Sequence, residues 1–433
     1  MADNKAMQSG RYKAYPEYND SGVEWLGGIP SGWQLSKIKY TAPFQVGWTP
    51  STSKDSNFVG DNLWANISDL GPKTIHDTTK RISDIAAKES SMDITPAGSL
   101  LYSFKLSVGT VSFAGCDMYT NEAIASFTSL SKLPLSYLYY TLPQFVIKNA
   151  STNIYGARIL NQELIRNAIV LEPSYKEAEK IANFLDHETA KIDILIEKQQ
   201  RLIELLTEKR QAVISHAVTK GLNPDVPMKD SGVEWLGEVP EHWEVKSLKY
   251  VARLRSLKTQ PSATRYVGLE NVESDTGKYL ATEDLMPTGI SNVFDKDNLL
   301  FGKLRPYLAK SWLATFSGIC SSEFLVLESI LVHPKYLNYL TLSNRFIDEV
   351  NSSTYGSKMP RASWDFISLM PIPTMDYDTS KDIAEFLDEE LIKFDEVISK
   401  ANQQIQLMQE RRTALISAAV TGKIDVRDWV KPE

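Results

Sequence analysis

The chain contains one long stretch that occurs twice, and this repeat constrains the fold more than any other feature. Residues Ile181–Lys220 and Ile383–Gly422 align without a gap, and they share Asp193 with Asp395 and Arg210 with Arg412. Self-similarity of this length indicates a fold that is itself repeated. We therefore expect a pseudo-twofold internal repeat, in which each half of the chain builds the same frame.

Each copy of the repeat has the pattern of one long helix, because neither copy contains proline or an internal glycine. Gly221 and Gly422 are expected to end these helices, because glycine can take the left-handed conformation of a helix cap. Apolar residues recur in rows seven residues apart, which predicts a seam between two helices in an antiparallel coiled coil. The alternative is two separate amphipathic helices in two ordinary cores. The predicted seam consists of Leu185, Ile192, Ile196, Ile203, Leu206, Val213, Leu387, Phe394, Ile398, Ile405, Met408 and Leu415.

A second repeat, DSGVEWLG, occurs at Asp20–Gly27 and again at Asp230–Gly237. Each copy is followed by a proline and then by a tryptophan, Trp33 or Trp243, which we interpret as an anchor packed under a domain edge. The second copy comes directly after the first long helix. By symmetry, we expect the first copy to lie beside the end of the second long helix, so that the repeats close into a ring.

Two stretches rich in short β-type runs lie between the repeats, and they resemble each other only weakly. In this weak similarity Glu122 aligns with Glu323. The predicted fold class is α+β, with two mixed α/β domains joined by the two long helices. The predicted segments are an N-terminal frame segment (1–32), the first domain (33–173), the central long helix (174–221), the repeat of the N-terminal segment (222–242), the second domain (243–375) and the C-terminal long helix with its tail (376–433).

The composition limits the class of protein. No apolar run reaches the length of a membrane span, and two cysteines are too few for a disulfide framework, which fits a reducing cytoplasm. The net charge is −7, but the charge is unevenly distributed. The acids are concentrated in the long helices, whereas stretches of the two domains, such as residues 245–269, contain bases and no acid. Basic domain surfaces are typical of nucleic-acid binding, although such runs also occur on ordinary solvated faces.

No pattern in the sequence predicts an active site, a bound cofactor or a metal site. No glycine-rich loop follows a strand and opens a helix, and the five histidines lack the spacing of metal ligands. One formal nuclease-like pattern joins Asp225 to Glu244 and Lys246. It straddles an inter-domain loop, and Gln34 replaces Glu244 in the other half, so a structural role is the better interpretation.

Taken together, the two repeats and the segments around Tyr119 and Arg305 resemble the specificity (S) subunits of type I restriction–modification systems. The resemblance covers nearly the whole chain. It implies two target recognition domains, each reading one half of a bipartite site in double-stranded DNA. It also implies that the conserved helices bind two modification (adenine methyltransferase) subunits, and that two ATP-dependent restriction subunits can join. S-adenosylmethionine, ATP and Mg²⁺ are then expected on those partner subunits, and the S subunit itself is expected to be non-catalytic.

Under this interpretation, basic and hydrogen-bonding residues of the two domains are the candidates for DNA contact. Lysine and arginine bind phosphates without sequence preference, and a few side chains reach base edges. For a tyrosine such as Tyr119, a place in the core is more common than a DNA contact. The candidates are Lys54, Lys105, Tyr119, Asn121 and Arg158 in the first domain, and Lys258, Arg265, Lys303, Arg305, Lys310, Lys358 and Arg361 in the second.

Two other classes of function remain open at this stage. The chain could be a single-chain DNA methyltransferase or nuclease, in which case the purified chain alone would act on DNA. It could also be a coiled-coil scaffold that does not bind DNA, in which case no salt-dependent DNA binding would be seen. The target sequence cannot be derived, because base readout depends on the geometry of the loops.

Overall fold

The structure is a computed structural model that describes residues 12–89, 93–152, 158–260, 265–282, 289–356 and 358–432. The chain divides into two compact units. Unit 1 contains the described residues up to Glu197 together with those from Ile405 onward, and unit 2 contains the described residues of Lys198–Gln404. The first 11 residues of the predicted N-terminal frame segment lie outside the described residues.

Unit 1 is built mainly from short strands, and its helices are short except for the last. The strands are β1 (Tyr18–Asp20), β2 (Gly28–Pro30), β3 (Gln34–Lys37), β4 (Phe44–Val46), β5 (Asn62–Ala65), β6 (Thr74–Ile75), β7 (Lys80–Ile82), β8 (Leu100–Ser103), β9 (Val111–Ala114), β10 (Tyr119–Thr120), β11 (Ile124–Phe127), β12 (Ser151–Thr152), β13 (Arg158–Ile159) and β14 (Ile169–Glu172). The helices are α1 (Ile38–Thr41), α2 (Asp84–Glu89), α3 (Leu135–Phe145), α4 (Gln162–Asn167) and α5 (Tyr175–Lys220), of which α5 continues into unit 2.

Unit 2 repeats this organisation with different strand lengths. Its strands are β15 (Met228–Asp230), β16 (Glu238–Pro240), β17 (Glu244–Ser247), β18 (Ala252–Arg255), β19 (Lys258–Thr259), β20 (Tyr266–Val267), β21 (Ser291–Phe294), β22 (Leu299–Gly302), β23 (Ser311–Leu313), β24 (Gly318–Cys320), β25 (Phe324–Ser329) and β26 (Pro371–Thr374). Its helices are α6 (Pro334–Leu342), α7 (Asn344–Ser352), α8 (Trp364–Ile367) and α9 (Tyr377–Val420), and α9 continues into unit 1.

The central sheets of the two units share a pairing scheme of four strands, to which unit 1 adds β6. In unit 1 the strand order is β4-β11-β8-β9-β6, and in unit 2 it is β18-β25-β22-β23. A second sheet in each unit contains one parallel pair, β5 with β10 and β20 with β24. Each unit also pairs the strand that precedes its long helix with the strand that follows its anchor tryptophan, β14 with β3 and β26 with β17. The mixed α/β architecture predicted from the sequence is confirmed.

The two long helices are continuous over 46 residues in α5 and 44 in α9. At about 1.5 Å per residue, α5 is roughly 69 Å long. Each helix ends at a glycine in the left-handed region, Gly221 with a φ of 76° and Gly422 with a φ of 69°. This conformation is favourable for glycine and closes the last helical turn, as the sequence predicts.

The twelve residues of the predicted seam are all shielded from solvent to some degree. In contrast, apolar neighbours off the seam, such as Ile194, Leu195 and Leu202, are exposed. The buried seam residues are Leu185, Ile192 and Leu387. The half-buried ones are Ile196, Ile203, Leu206, Val213, Phe394, Ile398, Ile405, Met408 and Leu415.

Parts of both long helices share a core within each unit. In unit 1, Leu185 of α5 belongs to the same apolar cluster as Ile416 and Val420 of α9. In unit 2, Ile214 and Val218 of α5 cluster with the beginning of α9. The start of one helix therefore packs with the end of the other in each unit, which is an antiparallel arrangement.

The aligned charges of the repeat make equivalent ion pairs between the helices. In unit 1, Arg412 of α9 donates from Nε to Oδ1 of Asp193 in α5, at 2.8 Å. In unit 2, Nε of Arg210 in α5 lies 3.6 Å from Oδ1 of Asp395 in α9. These two pairs use the same two positions of the repeat with the roles of the helices exchanged.

The same hydrogen bond connects a short helix to the long helix in each unit. Tyr140 of α3 donates its hydroxyl to Asp186 of α5 at 2.6 Å, and Tyr339 of α6 donates to Asp388 of α9 at 2.5 Å. A lysine also contacts each aspartate, Lys73 at 2.6 Å and Lys335 at 2.5 Å. Burial is the main cause of the raised pKa of both tyrosines, which therefore remain donors.

The DSGVEWLG segments pack against the ends of the long helices. Trp33 and Trp243 are 5 % and 1 % exposed, which confirms their interpretation as anchors. Gly422, at the end of α9, packs against Pro30 and Trp33, and its carbonyl accepts from the Tyr18 hydroxyl at 2.9 Å. The expectation that the first segment lies beside the end of the second long helix is therefore confirmed within unit 1.

Candidate nucleic-acid interface

The turn before β11 in unit 1 and the turn before β25 in unit 2 give a reference point for comparing the two candidate surfaces. The backbone N–H of Asn121 donates to Ala65, and that of Ser321 donates to Val267. The side chain of Asn121 accepts from Ala123 N–H, and that of Ser321 accepts from Glu323 N–H. Asn121 and Ser321 are therefore structural equivalents, and Asn121 has a turn-capping role within the fold.

This equivalence corrects the alignment of Glu122 with Glu323. Glu323 occupies the position of Ala123, so Glu122 lies one residue earlier in its turn. The sequence comparison matched the two acids by residue type, and one residue of offset in a short loop cannot be seen in such a weak similarity. Each acid nevertheless pairs with a predicted DNA-binding base, Lys105 or Arg361.

In unit 1, Lys105 lies in an exposed group around Glu122. Its Nζ is 3.8 Å from Glu122 Oε1, and both side chains are about half exposed. Thr49 donates its hydroxyl to the other oxygen of the same carboxylate. The neighbouring Trp48 is 56 % exposed, and its carbonyl accepts from the Trp64 indole at 3.0 Å. Trp48 was not predicted from the sequence, which contains several tryptophans that lie in the core.

The other candidates of unit 1 occupy separate places. Tyr119 is half-buried on β10 and packs against the cluster that contains Trp64, so part of its ring belongs to the core. Lys54 is exposed directly before a short 3-10 helix that begins at Asp55. Arg158 is exposed at the start of β13. Within the described part of the chain, no contact joins Lys54 or Arg158 to Lys105.

An open pocket of about 680 Å³ lies in unit 1 beside the loop that leads into β7. Two of its lining residues are basic. Lys80 lies over the Phe58 ring at 5.7 Å, and Arg81 pairs with Asp77 at 2.9 Å. This basic wall was not predicted from the sequence, although the run TTKR (Thr78–Arg81) contains both of its basic residues.

In unit 2 the fold brings four of the predicted bases into one region. Lys303 and Arg305 follow β22, and the chain around Arg361 runs beside them, with Leu304 bridged to Arg361. The Arg305 N–H donates to the Pro360 carbonyl at 2.7 Å. Lys358 is exposed two residues before that proline.

These four basic residues differ in how free their side chains are to contact DNA. Arg361 forms a two-pronged pair with Glu323, with Nε and Nη2 at 3.2 and 3.1 Å from its oxygens. This hydrogen bonding raises the pKa of Arg361 further above its usual value. Arg305 is exposed and has a left-handed backbone with a φ of 51°, and no side-chain partner is found for it among the described residues. Arg305 is therefore the better candidate for base readout, and Arg361 also stabilises the loop.

The remaining candidates of unit 2 have contacts within the fold. Lys310 donates from Nζ to the Leu269 carbonyl at 2.7 Å. The guanidinium of Arg265 lies 3.6 Å from the centre of the Phe316 ring and 5.2 Å from that of Tyr279. Lys258 is exposed on β19, which pairs with β21. Lys310 and Arg265 therefore contribute to the packing of unit 2 as well as to its charge.

The nuclease-like pattern does not form a carboxylate cluster. Glu244 pairs with Lys246 at 2.6 Å on β17, and Asp225 lies in the loop that follows α5. In the portion of the chain that the structure describes, no group of three or more potential ligands could hold a metal ion. Among the same residues, none of the helices combines the length and the hydropathy that a membrane span needs.

Comparisons with known proteins give one consistent family. Residues 30–205 match the family model described as the type I restriction modification DNA specificity domain. The chain is 24 % identical to the MjaIX specificity subunit of Methanocaldococcus jannaschii, over 93 % of this chain and 96 % of that protein. It is 22 % identical to the EcoDI specificity subunit of Escherichia coli, over 66 % and 69 % of the two chains.

Solved structures show the same fold. One is a chain from a study of complex assembly and conformational transition of the type I R-M system, with a TM-score of 0.69, 10 % identity and coverage of 90 % of this chain and 98 % of that one. Another is the HsdS subunit of Thermoanaerobacter tengcongensis, with a TM-score of 0.51, 10 % identity and coverage of 92 % and 98 %. Residues 30–205 therefore match the type I specificity domain, and nearly the whole chain is similar in sequence to a type I restriction–modification specificity subunit.

Proposed function

We propose that this chain reads a bipartite target in double-stranded DNA, with one half-site read by each of its two domains, residues 33–173 and 243–375. The observation that carries the proposal is the contrast between a repeated frame and unlike surfaces. The frame uses equivalent contacts in both units, such as Tyr140 with Asp186 and Tyr339 with Asp388. The exposed basic residues around Lys105 in unit 1 and around Arg305 in unit 2 do not occupy equivalent positions. Two readers of different sequences require such a difference.

DNA binding in this proposal has two parts. Exposed lysines such as Lys54, Lys258 and Lys358 contact phosphates and supply affinity that falls as salt rises. Residues that project from a loop without a partner in the fold read base edges, and Arg305 is the leading candidate. Arg361, Lys310 and Asn121 hold the reading loops in place through the contacts described above.

The long helices are proposed to form one antiparallel coiled coil that serves as a spacer and as the docking site for two modification subunits. The support is the antiparallel packing of their ends within each unit and the shielding of all twelve predicted seam residues. Two equivalent sets of contacts provide two equivalent docking surfaces. Native mass spectrometry of the co-expressed proteins is expected to show two modification subunits per chain, and a complex that saturates at one would contradict this.

Catalysis is proposed to belong to the partners. Modification subunits methylate adenine with S-adenosylmethionine, and ATP and Mg²⁺ act on two restriction subunits where these join the complex. In this proposal the methylation and the restriction of DNA take place in the cytoplasm. The competing proposal of a single-chain methyltransferase predicts that the purified chain alone transfers methyl groups to DNA, and a DNA-free scaffold predicts no salt-dependent DNA binding.

The direct test of the function is to sequence methylated adenines in a host that expresses this chain with its modification partner. We expect a single target with two specified parts separated by a gap of unspecified bases. A target with only one specified part would contradict two readers. Without the chain, the modification partner is expected to leave no sequence-specific methylation.

The spacer proposal has its own test, an insertion of four residues between Gln199 and Gln200. Four helical residues add about 6 Å and a net rotation of about 40°. One base pair turns DNA by roughly 34–36°. The variant is therefore expected to read the same half-sites with a gap longer by one or two base pairs, and an unchanged gap in an active protein would contradict the spacer.

A further inference from the structure

A pocket of about 300 Å³ lies in unit 2 where the first long helix ends. We call it the helix-end pocket, and its walls include Gly221 and Leu222 after α5, the anchor Trp243, and Thr379 and Asp382 on the first turns of α9. The counterpart of this place in unit 1 is the junction of Gly422, Trp33 and the first turns of α5. The tryptophans and the helix residues of the two places are aligned positions of the repeats, and the closing glycine of unit 2 stands one position later than that of unit 1. Their contents can therefore be compared directly.

In unit 1 the corresponding place is filled by a tyrosine of the chain itself. Tyr15 donates its hydroxyl to Glu177 Oε1 at 2.7 Å, and the Trp33 indole N–H donates to the same oxygen at 3.0 Å. The Tyr15 and Trp33 rings meet edge to face, with centroids 5.7 Å apart. The guanidinium of Arg427 lies over the Tyr15 ring at 4.9 Å. An aromatic ring and a neighbouring cation therefore complete this junction.

The aligned position of Glu177 in unit 2 is Thr379, and this exchange removes the acceptor. Trp243 is only 1 % exposed, yet its indole N–H has no hydrogen-bond partner in the described part of the chain. A buried donor without an acceptor is unfavourable, so such groups are uncommon in native proteins. The helix-end pocket is thus a junction that lacks both the ring and the acceptor of its counterpart.

A second exchange reverses the polarity of the helix wall. In unit 1, Lys180 donates from Nζ to the carbonyl of Arg427 in the chain's own tail. The aligned residue in unit 2 is Asp382, which accepts hydrogen bonds and attracts a cation. A segment that fits the helix-end pocket must therefore bring a donor or a positive charge to this point.

Apolar side chains next to the pocket are uncovered in unit 2. Phe184 of α5 is fully buried under Trp429 and Tyr12, with ring centroids 5.7 and 5.3 Å away. The aligned Phe386 of α9 is 38 % exposed, and nearby Leu222 is 43 % exposed. Among the described residues of unit 2, no segment corresponds to those that cover this band in unit 1, and one short loop joins α5 to β15.

We propose that the helix-end pocket binds an aromatic side chain, flanked by a basic residue, from a segment of a partner protein. The aromatic ring takes the place that Tyr15 takes in unit 1. A carbonyl of the partner segment accepts a hydrogen bond from the Trp243 indole, and the basic residue of the segment faces Asp382.

Asp376 stands directly before α9, and the first turns of α9 also carry Asp378 and Glu385. The basic residues at this place are Lys381, which pairs with Glu385, and Lys220 on the pocket wall. The acids outnumber them and disfavour nucleic acid as the occupant. The proposal goes beyond DNA reading and does not depend on it.

The probe for the test is a synthetic peptide with the sequence of residues 12–18, YKAYPEY, which carries Tyr15 and the basic Lys13. The full chain is labelled with 5-fluorotryptophan, and the Trp243 signal in the fluorine NMR spectrum is assigned with the variant Trp243→Phe. We expect a saturable shift of the Trp243 signal on addition of the peptide. The same peptide with alanine in place of Tyr15 is expected to leave the signal unchanged.

Two charge variants sharpen the test. Asp382→Lys should weaken peptide binding at least about tenfold, because like charges then face each other. Glu389→Lys makes the same change on an exposed residue of α9 outside the pocket and should bind as the original chain does. DNA binding by both variants should be unaltered. A Trp243 signal that never shifts, or an Asp382→Lys variant that binds the peptide normally, would overturn the proposal.

Discussion

The two ends of the long-helix pair show how one sequence pattern builds the same frame with different surroundings. At both ends a DSGVEWLG segment places a proline and a tryptophan against the glycine that closes a helix. In unit 1, Trp33 finds its acceptor in Glu177, whereas in unit 2 Trp243 finds none among the described residues. The backbone frame is therefore specified by the repeat, while the side chains around it are free to differ between the halves.

The largest expected effect uses the aligned pair Phe184 and Phe386. Phe184→Ala should lower the free energy of unfolding of unit 1 by about 3–5 kcal/mol, because a fully buried ring is lost. Phe386→Ala should cost unit 2 about 1 kcal/mol or less, because the ring is already partly in water. Calorimetric unfolding of both variants, with each unit followed as its own transition, makes the comparison. Equal losses would contradict the difference between the two ends.

The next effect concerns specificity. Arg305→Ala should weaken the free energy of DNA binding by about 1–3 kcal/mol through one base pair of the target, if Arg305 reads a guanine through two hydrogen bonds. Only the half-site read by unit 2 should lose sequence specificity, because Arg305 belongs to that reader alone. Binding measurements with each half-site mutated in turn test this. Arg201→Ala, an exposed arginine on the long helix, is the matched control and should leave both half-sites intact.

The smallest effect is a dependence of stability on pH that is confined to unit 2. Helix α6 is capped by His333, whose Nδ1 accepts from Lys335 N–H at 3.3 Å, whereas Pro134 precedes α3 in unit 1 and offers no side-chain cap. Burial, and then the charge of Lys335, lower the pKa of His333 below its usual 6.5.

The sign of the effect follows from this pKa. The unfolded chain binds the proton more readily than the folded one, so the stability of unit 2 should fall as the pH falls through about 6.5. His333→Asn keeps an acceptor at the cap and should remove this dependence. Unfolding of unit 2 measured between pH 7.5 and 5.5 checks the result. A dependence of equal size in the asparagine variant would assign it to another group.

The frame could be predicted from the sequence because it depends on local rules. Helix continuity, the capping glycines Gly221 and Gly422, and the anchors Trp33 and Trp243 follow from residue type and from the repeat. The roles of Lys310 and Arg361 could not be predicted, because each depends on a partner, the Leu269 carbonyl or Glu323, that only the fold brings near.

The candidate interface was likewise predictable in its charge and not in its detail. Basic runs identify the two domains, but the exposure of Trp48 and the basic wall at Lys80 depend on how neighbouring strands pack. The one-residue offset between Glu122 and Glu323 arises in a turn, where the sequence similarity is too weak to fix the register. Aligned helix residues can also differ in burial, as Phe184 and Phe386 do, because their coverage comes from distant segments.

The central claim is that one repeated frame holds two independent readers. Its most direct test replaces residues 243–375 with a second copy of residues 33–173 and sequences the methylated adenines made by the assembled complex. The account predicts a symmetric target with two inverted copies of the original first half-site. Continued methylation of the original asymmetric target would contradict it.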